Sequence, residues 1–322
     1  MIRRLRAVLG RRNVLIGLQL AGVTALLGAL AWAVRGVWSE AGPRLEDADV
    51  VQLMLGLGVL AAYYLLFVVG WLLILAAMGI RVPYMVALQA EMLSMLAKYI
   101  PGGFWTPAAR IVAMRRYGAG EVPVLFASIL LEAGLSAVAG VLVFLASLPF
   151  VGVPVGAPIG PLAAFLVIVL VLLHPRVFRR LARTRLMRLL GPAEIEPLAW
   201  RDSLGIVCFY MATWPLGGLA LWFLMRSVGG DPSLAAVPYL GGAAAVGAIV
   251  AVLAFFSPSG LGVREGAMYG LILAVSSPGV ALSATILNRF AITVVEALLL
   301  LLGALAFRGR LWSREALAQS GR

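Results

Sequence analysis

The sequence predicts an all-α polytopic membrane protein, and three observations support this fold class. Of the 322 residues, 62% are hydrophobic and 12% are charged, whereas soluble domains are about 45–50% apolar and about 25% charged. The mean hydropathy is +1.02. The apolar residues form runs of the roughly 20 residues that a spanning helix needs, and the basic residues cluster between some runs and avoid others.

Six runs are long enough to span a membrane and contain almost no charge. They are predicted to be spanning helices: residues 14–34, 50–80, 122–150, 157–173, 204–224 and 281–307. Two further stretches, 84–113 and 234–275, are interrupted by Pro and Gly at 101–103 and 257–262. Lipid cannot hydrogen-bond the backbone groups that such a break frees. The two stretches are therefore predicted to be re-entrant broken-helix hairpins.

The distribution of basic residues predicts that both termini lie in the cytoplasm. Nineteen Lys and Arg fall in segments assigned to the cytoplasm, three in external loops and four at membrane depth. Segment 35–49 is acidic and is predicted to be an external loop. This topology requires hairpin 84–113 to enter from the cytoplasm and hairpin 234–275 to enter from outside.

The same order of elements occurs twice within the single membrane domain 1–322. Span, span, hairpin, span describes both 14–150 and 157–307, in opposite orientations, which predicts an inverted repeat. The linker 174–201 repeats Arg with Leu, Phe and Met at helical spacing. It is predicted to be a cytoplasmic amphipathic helix that binds anionic headgroups, with a partner-protein site as the alternative.

Eight charged residues at membrane depth are the candidate substrate-binding residues: Lys98, Arg110, Arg264, Arg289, Glu91, Glu132, Glu265 and Glu296. Broken helices direct N–H groups toward anions, and Arg suits phosphate oxygens. The alternative is that these charges form ion pairs that hold the two halves together. Glycines beside the breaks and one aromatic residue complete the candidate site: Gly102, Gly103, Gly260, Gly262 and Trp105.

Several classes of chemistry are not expected. One cysteine, Cys208, and one histidine, His174, give no disulfide framework and no metal or cofactor site. No nucleotide-binding motif is present, so neither ATP use nor enzymatic activity is expected. The net charge of +12 is attributed to lipid contacts rather than to nucleic acid.

Residues 98–105 followed by Arg110 resemble the K-Y-[IL]-P-G-x-x-W…R signature of the flippase-like family that includes the transmembrane region of lysylphosphatidylglycerol synthases. Residues 257–265 resemble its second signature, P-x-G-[LI]-G-x-R-E, and Asn288-Arg289 a weaker third. The resemblance implies translocation of a lipid with a bulky polar headgroup. The sequence ends soon after the last predicted span, so we do not expect it to make lysylphosphatidylglycerol.

The leading hypothesis is an ATP-independent flippase or scramblase for a phospholipid, an aminoacyl-phospholipid or a polyprenyl-phosphate-linked lipid. The alternatives are a secondary transporter of a small soluble anion and a membrane scaffold for a glycosyltransferase. A lipid-modifying enzyme, a glycosyltransferase and a second copy of the chain remain open as partners. A single Lys among 26 basic residues is typical of a GC-rich bacterium, which predicts the bacterial cytoplasmic membrane.

Overall fold

The computed structural model describes residues 38–97, 105–152, 159–184, 195–254, 257 and 260–307. Within these ranges the chain is helical and contains no β-strand. Five helices are long and apolar enough to cross a membrane, and a bent helix pair makes a sixth candidate. The prediction of an all-α polytopic membrane protein is therefore confirmed. The predicted first span, 14–34, lies outside the described residues.

The described part of the chain holds eleven α-helices, which we number in chain order: α1 (Trp38–Glu46), α2 (Val50–Ala77), α3 (Tyr84–Ala97), α4 (Trp105–Arg116), α5 (Val122–Ser147), α6 (Ile159–Leu173), α7 (Pro175–Ala182), α8 (Trp200–Ser227), α9 (Val237–Leu253), α10 (Val263–Ile272) and α11 (Pro278–Phe307). Short 3-10 turns occupy Leu148–Phe150 and Leu234–Ala236. The predicted spans 50–80, 122–150, 204–224 and 281–307 correspond to α2, α5, α8 and α11.

Helix α2 shows how local chemistry sets the ends of a span. At its start, the Asp49 carboxylate accepts hydrogen bonds from the backbone N–H groups of Val51 (2.8 Å) and Gln52 (3.1 Å). These bonds satisfy donors that the first turn of a helix leaves free. At its end, Gly79 adopts a φ of 80°, which a glycine tolerates and most residues do not. Between these ends, α2 runs for 28 residues, or about 42 Å.

The first predicted hairpin appears as α3 and α4, which pack against each other and flank residues 98–104. Their 14 and 12 residues correspond to about 21 and 18 Å, which is shorter than a hydrocarbon core of about 30 Å. The two helices also pack on α2 and α5 through Ala87, Ala90 and Met114. Neither helix is long enough to span, as a re-entrant hairpin requires.

The second predicted hairpin appears as α9 and α10, which flank residues 254–262. The hydroxyl of Tyr239, near the start of α9, donates to the carbonyl of Leu271 near the end of α10 (2.8 Å), so the helices are antiparallel and their outer ends lie together. The arms are unequal, since Leu234–Leu253 is long enough to cross a membrane whereas α10 has ten residues. The inverted repeat itself stays a prediction.

Segment 35–49 was predicted to be a loop, but the structure places helix α1 there. Sequence patterning missed it because Pro43 lies inside the helix. Arg44 of α1 donates to the carbonyl of Val228 (3.2 Å), and the Ser283 hydroxyl donates to the carbonyl of Ala41 (3.2 Å). The segments assigned to the outside therefore meet at one end of α2. Ile80, at the end of the predicted span 50–80, and Gly120, in a segment assigned to the cytoplasm, meet at the other end.

The predicted span 157–173 is present as α6, but its 15 residues reach only about 22 Å. The chain then bends by 67° into α7. The imidazole of His174 accepts from the backbone N–H of Arg176 (3.3 Å), so this histidine caps α7. Of the predicted amphipathic linker 174–201, the structure describes residues 174–184 and 195–201. Residues 185–194 lie outside the described part of the chain.

Helices α5, α8 and α9 form the centre of the molecule, where small residues allow close packing. Gly218 of α8 faces the backbone of Val237 and Gly241 on α9, with no room for a Cβ atom. Because the two backbones are in direct contact here, a larger residue at position 218 would push α8 and α9 apart.

We predict that Gly218→Ala lowers the thermal stability of the protein in detergent by about 1–3 kcal/mol, because the added methyl collides with backbone rather than with a mobile side chain. The matched control is Gly58→Ala on α2, where no atom lies within 4 Å of the added Cβ. This control should be neutral or slightly stabilising. Equal unfolding temperatures for the two variants would contradict the packing described.

Candidate functional site

A cluster of three buried charged residues lies beside the first helix break, and we call it the Arg110 cluster. Arg110 on α4 forms ion pairs with Glu91 on α3 and with Glu132 on α5. Arg110 is 5% exposed and Glu132 is 6% exposed, so both charges are removed from solvent. The pairing alternative predicted from the sequence is thus what the structure shows for these three residues.

The guanidinium of Arg110 also contacts an aromatic ring and has one nitrogen without a hydrogen bond among the described residues. Its Cζ lies 4.4 Å from the centroid of the Trp71 ring, a cation–π arrangement. The Trp71 indole is fixed in turn by donating to the Ser128 hydroxyl (3.1 Å). The Nε atom of Arg110 is buried and makes no hydrogen bond within the described residues. One donor of the guanidinium is therefore buried and unsatisfied by the described residues.

A cavity of about 210 Å³ opens onto the Arg110 cluster. All three charged residues line it, together with residues of α2, α4 and α5: Phe67, Thr106, Pro107, Ile129, Ala133 and Ser136. The cavity thus combines ionised groups, a hydroxyl-bearing rim and apolar walls. Such a combination is typical of binding sites, where a few polar groups orient a ligand.

The Arg110 cluster contains two carboxyl groups and one guanidinium, a formal charge of −1 when both acids are ionised. A further anion near Arg110 would meet two carboxylates at contact distance. An unbalanced buried charge costs free energy, so the cluster is suited to a cation or a proton. Direct binding of a phosphate by Arg110 stays a prediction.

A second charged cluster, the Arg264 cluster, lies beside the other break. Its members are Arg264 and Glu265 on α10 and Arg289 on α11. Glu265 pairs with Arg289 at 3.5 Å and accepts the backbone N–H of Gly262 at 2.6 Å, which caps the start of α10. The Arg264 Nε is buried without a hydrogen bond among the described residues. The cluster therefore brings two guanidinium groups to the region beside the second break.

Aromatic side chains occupy the space between the two clusters: Tyr63, Phe67, Tyr210 and Trp214. The Tyr63 hydroxyl lies within electrostatic range of both Arg264 and Glu132. The clusters therefore belong to one interior region rather than to two separate surfaces. Sequence reasoning missed these aromatics, and adjacent tyrosines at 63 and 64 in an apolar span were the signal available.

Glu296, the remaining intramembrane acid in the described region, is 3% exposed and lies on α11. Its carboxylate accepts a hydrogen bond from the Tyr64 hydroxyl on α2 (3.0 Å). This contact joins α2 to α11 at a distance along the chain from both breaks. It supports a helix-joining role for Glu296 more directly than substrate binding.

The other predicted site residues divide into two groups. Gly260 and Gly262 adopt φ angles of 66° and 83°, a conformation that favours glycine. They form the turn into α10. Trp105 begins α4 and is 39% exposed. Lys98, Gly102 and Gly103 lie outside the described residues.

A family model described as the lysylphosphatidylglycerol synthase TM region matches residues 15–303 of the chain. The match spans both charged clusters and all of the described helices except the last few residues of α11. A search of curated proteins finds no match.

We predict that Arg110→Gln destabilises the protein by about 3–5 kcal/mol, because it leaves Glu91 and Glu132 buried and facing each other. The measurement is thermal unfolding in detergent. Adding Glu132→Gln should recover part of the loss, since the two effects are coupled.

The matched comparison for this prediction is Arg289→Gln, which removes a longer and more exposed pair with Glu265. Its loss should be smaller than that of Arg110→Gln. Equal losses, or strict additivity in the Arg110→Gln/Glu132→Gln double variant, would show that the Arg110 cluster is not a coupled buried network.

Proposed function

We propose, because the chain belongs to the lysylphosphatidylglycerol synthase TM region family, that this multi-pass membrane protein moves a polar-headgroup lipid between bilayer leaflets. The activity is a flippase or scramblase activity that uses no ATP and makes or breaks no covalent bond. We place it in the bacterial cytoplasmic membrane. A second copy of the chain or a lipid-modifying enzyme is a compatible partner.

The observation that carries the proposal is the pair of charged clusters beside the two helix breaks. Charged groups at membrane depth are costly and mark substrate pathways when they face a cavity. The Arg110 cluster faces a cavity and contains two carboxyl groups for one guanidinium. The Arg264 cluster contains the guanidinium groups of Arg264 and Arg289. Together they suit a headgroup that carries both signs of charge.

In this arrangement the lipid phosphate binds at Arg264 and Arg289, where the Arg264 Nε has no hydrogen bond within the described residues. A headgroup amine binds at Glu91 and Glu132 and replaces the proton or cation that balances them. The acyl chains stay in the bilayer. Aminoacyl-phospholipids and zwitterionic phospholipids fit both clusters, whereas a polyprenyl phosphate, having no amine, fits the Arg264 cluster alone.

Charge compensation supplies the physical basis for movement without ATP. A lone headgroup charge crossing a low-dielectric core meets a large solvation penalty. Prepositioned groups of opposite charge replace the lost hydration. Because the described charges of the Arg110 cluster do not sum to zero when both acids are ionised, a headgroup amine gains an interaction there rather than displacing a complete ion pair.

A second candidate function is secondary transport of a small soluble anion, and the two guanidinium groups of the Arg264 cluster favour it. That function leaves the carboxyl excess at Arg110 unused, except for a coupled proton. It also requires the cavity to open to water on both sides rather than to lipid. The scaffold alternative requires neither cluster to bind a ligand.

We predict that liposomes containing the protein show accelerated dithionite quenching of inner-leaflet fluorescent lipid when the headgroup carries an amine and a phosphate. Arg264→Gln should slow the quenching by at least about tenfold, equivalent to about 1.4 kcal/mol of lost headgroup stabilisation. Glu91→Gln should slow transport of the amine-bearing lipid but leave phosphatidylglycerol transport much less affected. Lipids labelled on an acyl chain keep the headgroups native.

The control is Arg226→Gln, which removes an exposed arginine at the far end of α8 that stacks on Trp222. Each variant is first shown to fold by its unfolding temperature. Uptake of phosphate without movement of any lipid would favour the small-anion transporter. No movement of either, with co-purification of a glycosyltransferase, would favour the scaffold and reject the proposal.

A further inference from the structure

A second cavity, of about 260 Å³, lies between α5, α6 and α7, and we call it the α7 crevice. Its walls are apolar and come from both spanning helices, from the helix after the bend and from the segment before α8: Ala127, Leu130, Leu131, Gly134, Val169, Leu172, Leu173, Phe178, Leu181, Ala182 and Ile195. Among the described residues, no charged side chain lines it. The charged cavity at Arg110 has a different lining and uses none of these residues.

Helix α7 borders this crevice with two chemically distinct faces. Its arginines recur at the i, i+3, i+4 and i+7 positions of one helical stripe, and all four are exposed: Arg176, Arg179, Arg180 and Arg183. Phe178, Leu181 and Ala182 are on the crevice side. A basic stripe therefore adjoins an apolar cavity along a single short helix.

The bend before α7 places these features at the edge of the bilayer. The crevice residues of α6 are its last turns, and those of α5 begin five residues after the start of that helix. The crevice therefore lies near the ends of two apolar helices and beside a basic one, the position expected for acyl chains next to a membrane surface. Helix α7, turned by 67° from α6, runs toward the plane of the headgroups.

We propose that the α7 crevice holds one acyl chain of an anionic phospholipid, whose phosphate contacts the arginine stripe of α7. The apolar lining excludes a soluble anion, since such a ligand has no polar partner inside. The four exposed arginines, three on α7 and Arg183 directly after it, give the complementary charge for the phosphate. The bound acyl chain fills the space between α5, α6 and α7.

This site stands independently of lipid transport. A lipid held at α7 binds through a fixed apolar wall and a surface arginine stripe, whereas the transported headgroup of the preceding proposal enters a polar interior. The basic composition of α7 by itself indicates only a general attraction to anionic membranes. The crevice beside it adds a binding place for one acyl chain. Its role is to fix the bent α6–α7 segment against α5.

The test measures how strongly the full-length protein immobilises a phospholipid spin-labelled near the end of one acyl chain, by electron paramagnetic resonance in phosphatidylcholine vesicles. We expect labelled phosphatidylglycerol to be immobilised more strongly than labelled phosphatidylcholine. Replacing Arg180 and Arg183 together by Gln should reduce this preference by about fivefold or more. Inorganic phosphate in the buffer should not compete.

The acyl-chain part is tested with Ala182→Trp, which adds bulk inside the crevice without changing charge. It should remove most of the immobilised phosphatidylglycerol. The matched control is Leu170→Trp, since Leu170 is 45% exposed on the neighbouring helix and does not line the crevice. The exposed Arg201 of α8, changed to Gln, controls for general loss of positive charge.

The proposal is overturned if wild-type protein shows no preference for phosphatidylglycerol over phosphatidylcholine. It is also overturned if Ala182→Trp folds normally and immobilises as much lipid as Leu170→Trp does, because α7 would then attract anionic lipid by charge alone. Ala182→Leu provides a smaller filling if the tryptophan variant fails to fold. Displacement of the lipid by inorganic phosphate would indicate an anion site without an acyl-chain pocket.

Discussion

The pairing of one buried arginine with two carboxylates is the constraint on which the interior of this protein depends. Arg110 is nearly inaccessible, and its partners Glu91 and Glu132 come from different helices. A charge in that position must be compensated, so α3, α4 and α5 are held at one point. The ring of Trp71 adds α2 to the same point. The short helices of the first hairpin, which cannot cross the membrane alone, thereby gain a fixed place between longer ones.

The distribution of the intramembrane charges matters more than their sum. By sequence there are four basic and four acidic residues at membrane depth, which suggests complete mutual pairing. In the structure Arg110 pairs with two carboxylates, Glu265 pairs with Arg289, and Glu296 accepts a hydrogen bond from Tyr64. Aromatic rings lie between the two clusters, so among the described residues the charges of one cluster do not pair with those of the other.

The α7 crevice, beside the bend between α6 and α7, differs in its lining from the cavity at the Arg110 cluster. The cavity at the Arg110 cluster is lined by charged side chains, whereas the described lining of the α7 crevice is apolar and the arginines beside it are exposed. The same physical rule accounts for both features. Charge within the membrane must be paired or solvated, so the interior charges are paired and the exposed arginines of α7 remain open to solvent or headgroups.

The sequence by itself determined the fold class, the bounds of most spanning helices, the two helix breaks and the identity of the charged residues, because hydropathy, Pro-Gly breaks and membrane-depth charges are local signals. It did not predict α1, whose internal Pro43 masks a helix that contacts α8 and α11. Only the tertiary structure decided that Arg110 binds both Glu91 and Glu132, that Glu265 pairs with Arg289, and that aromatic side chains lie between the clusters. These pairings join residues that are distant in sequence, and several exchanges of partner satisfy the same overall charge balance. The choice among them depends on which helix faces pack together.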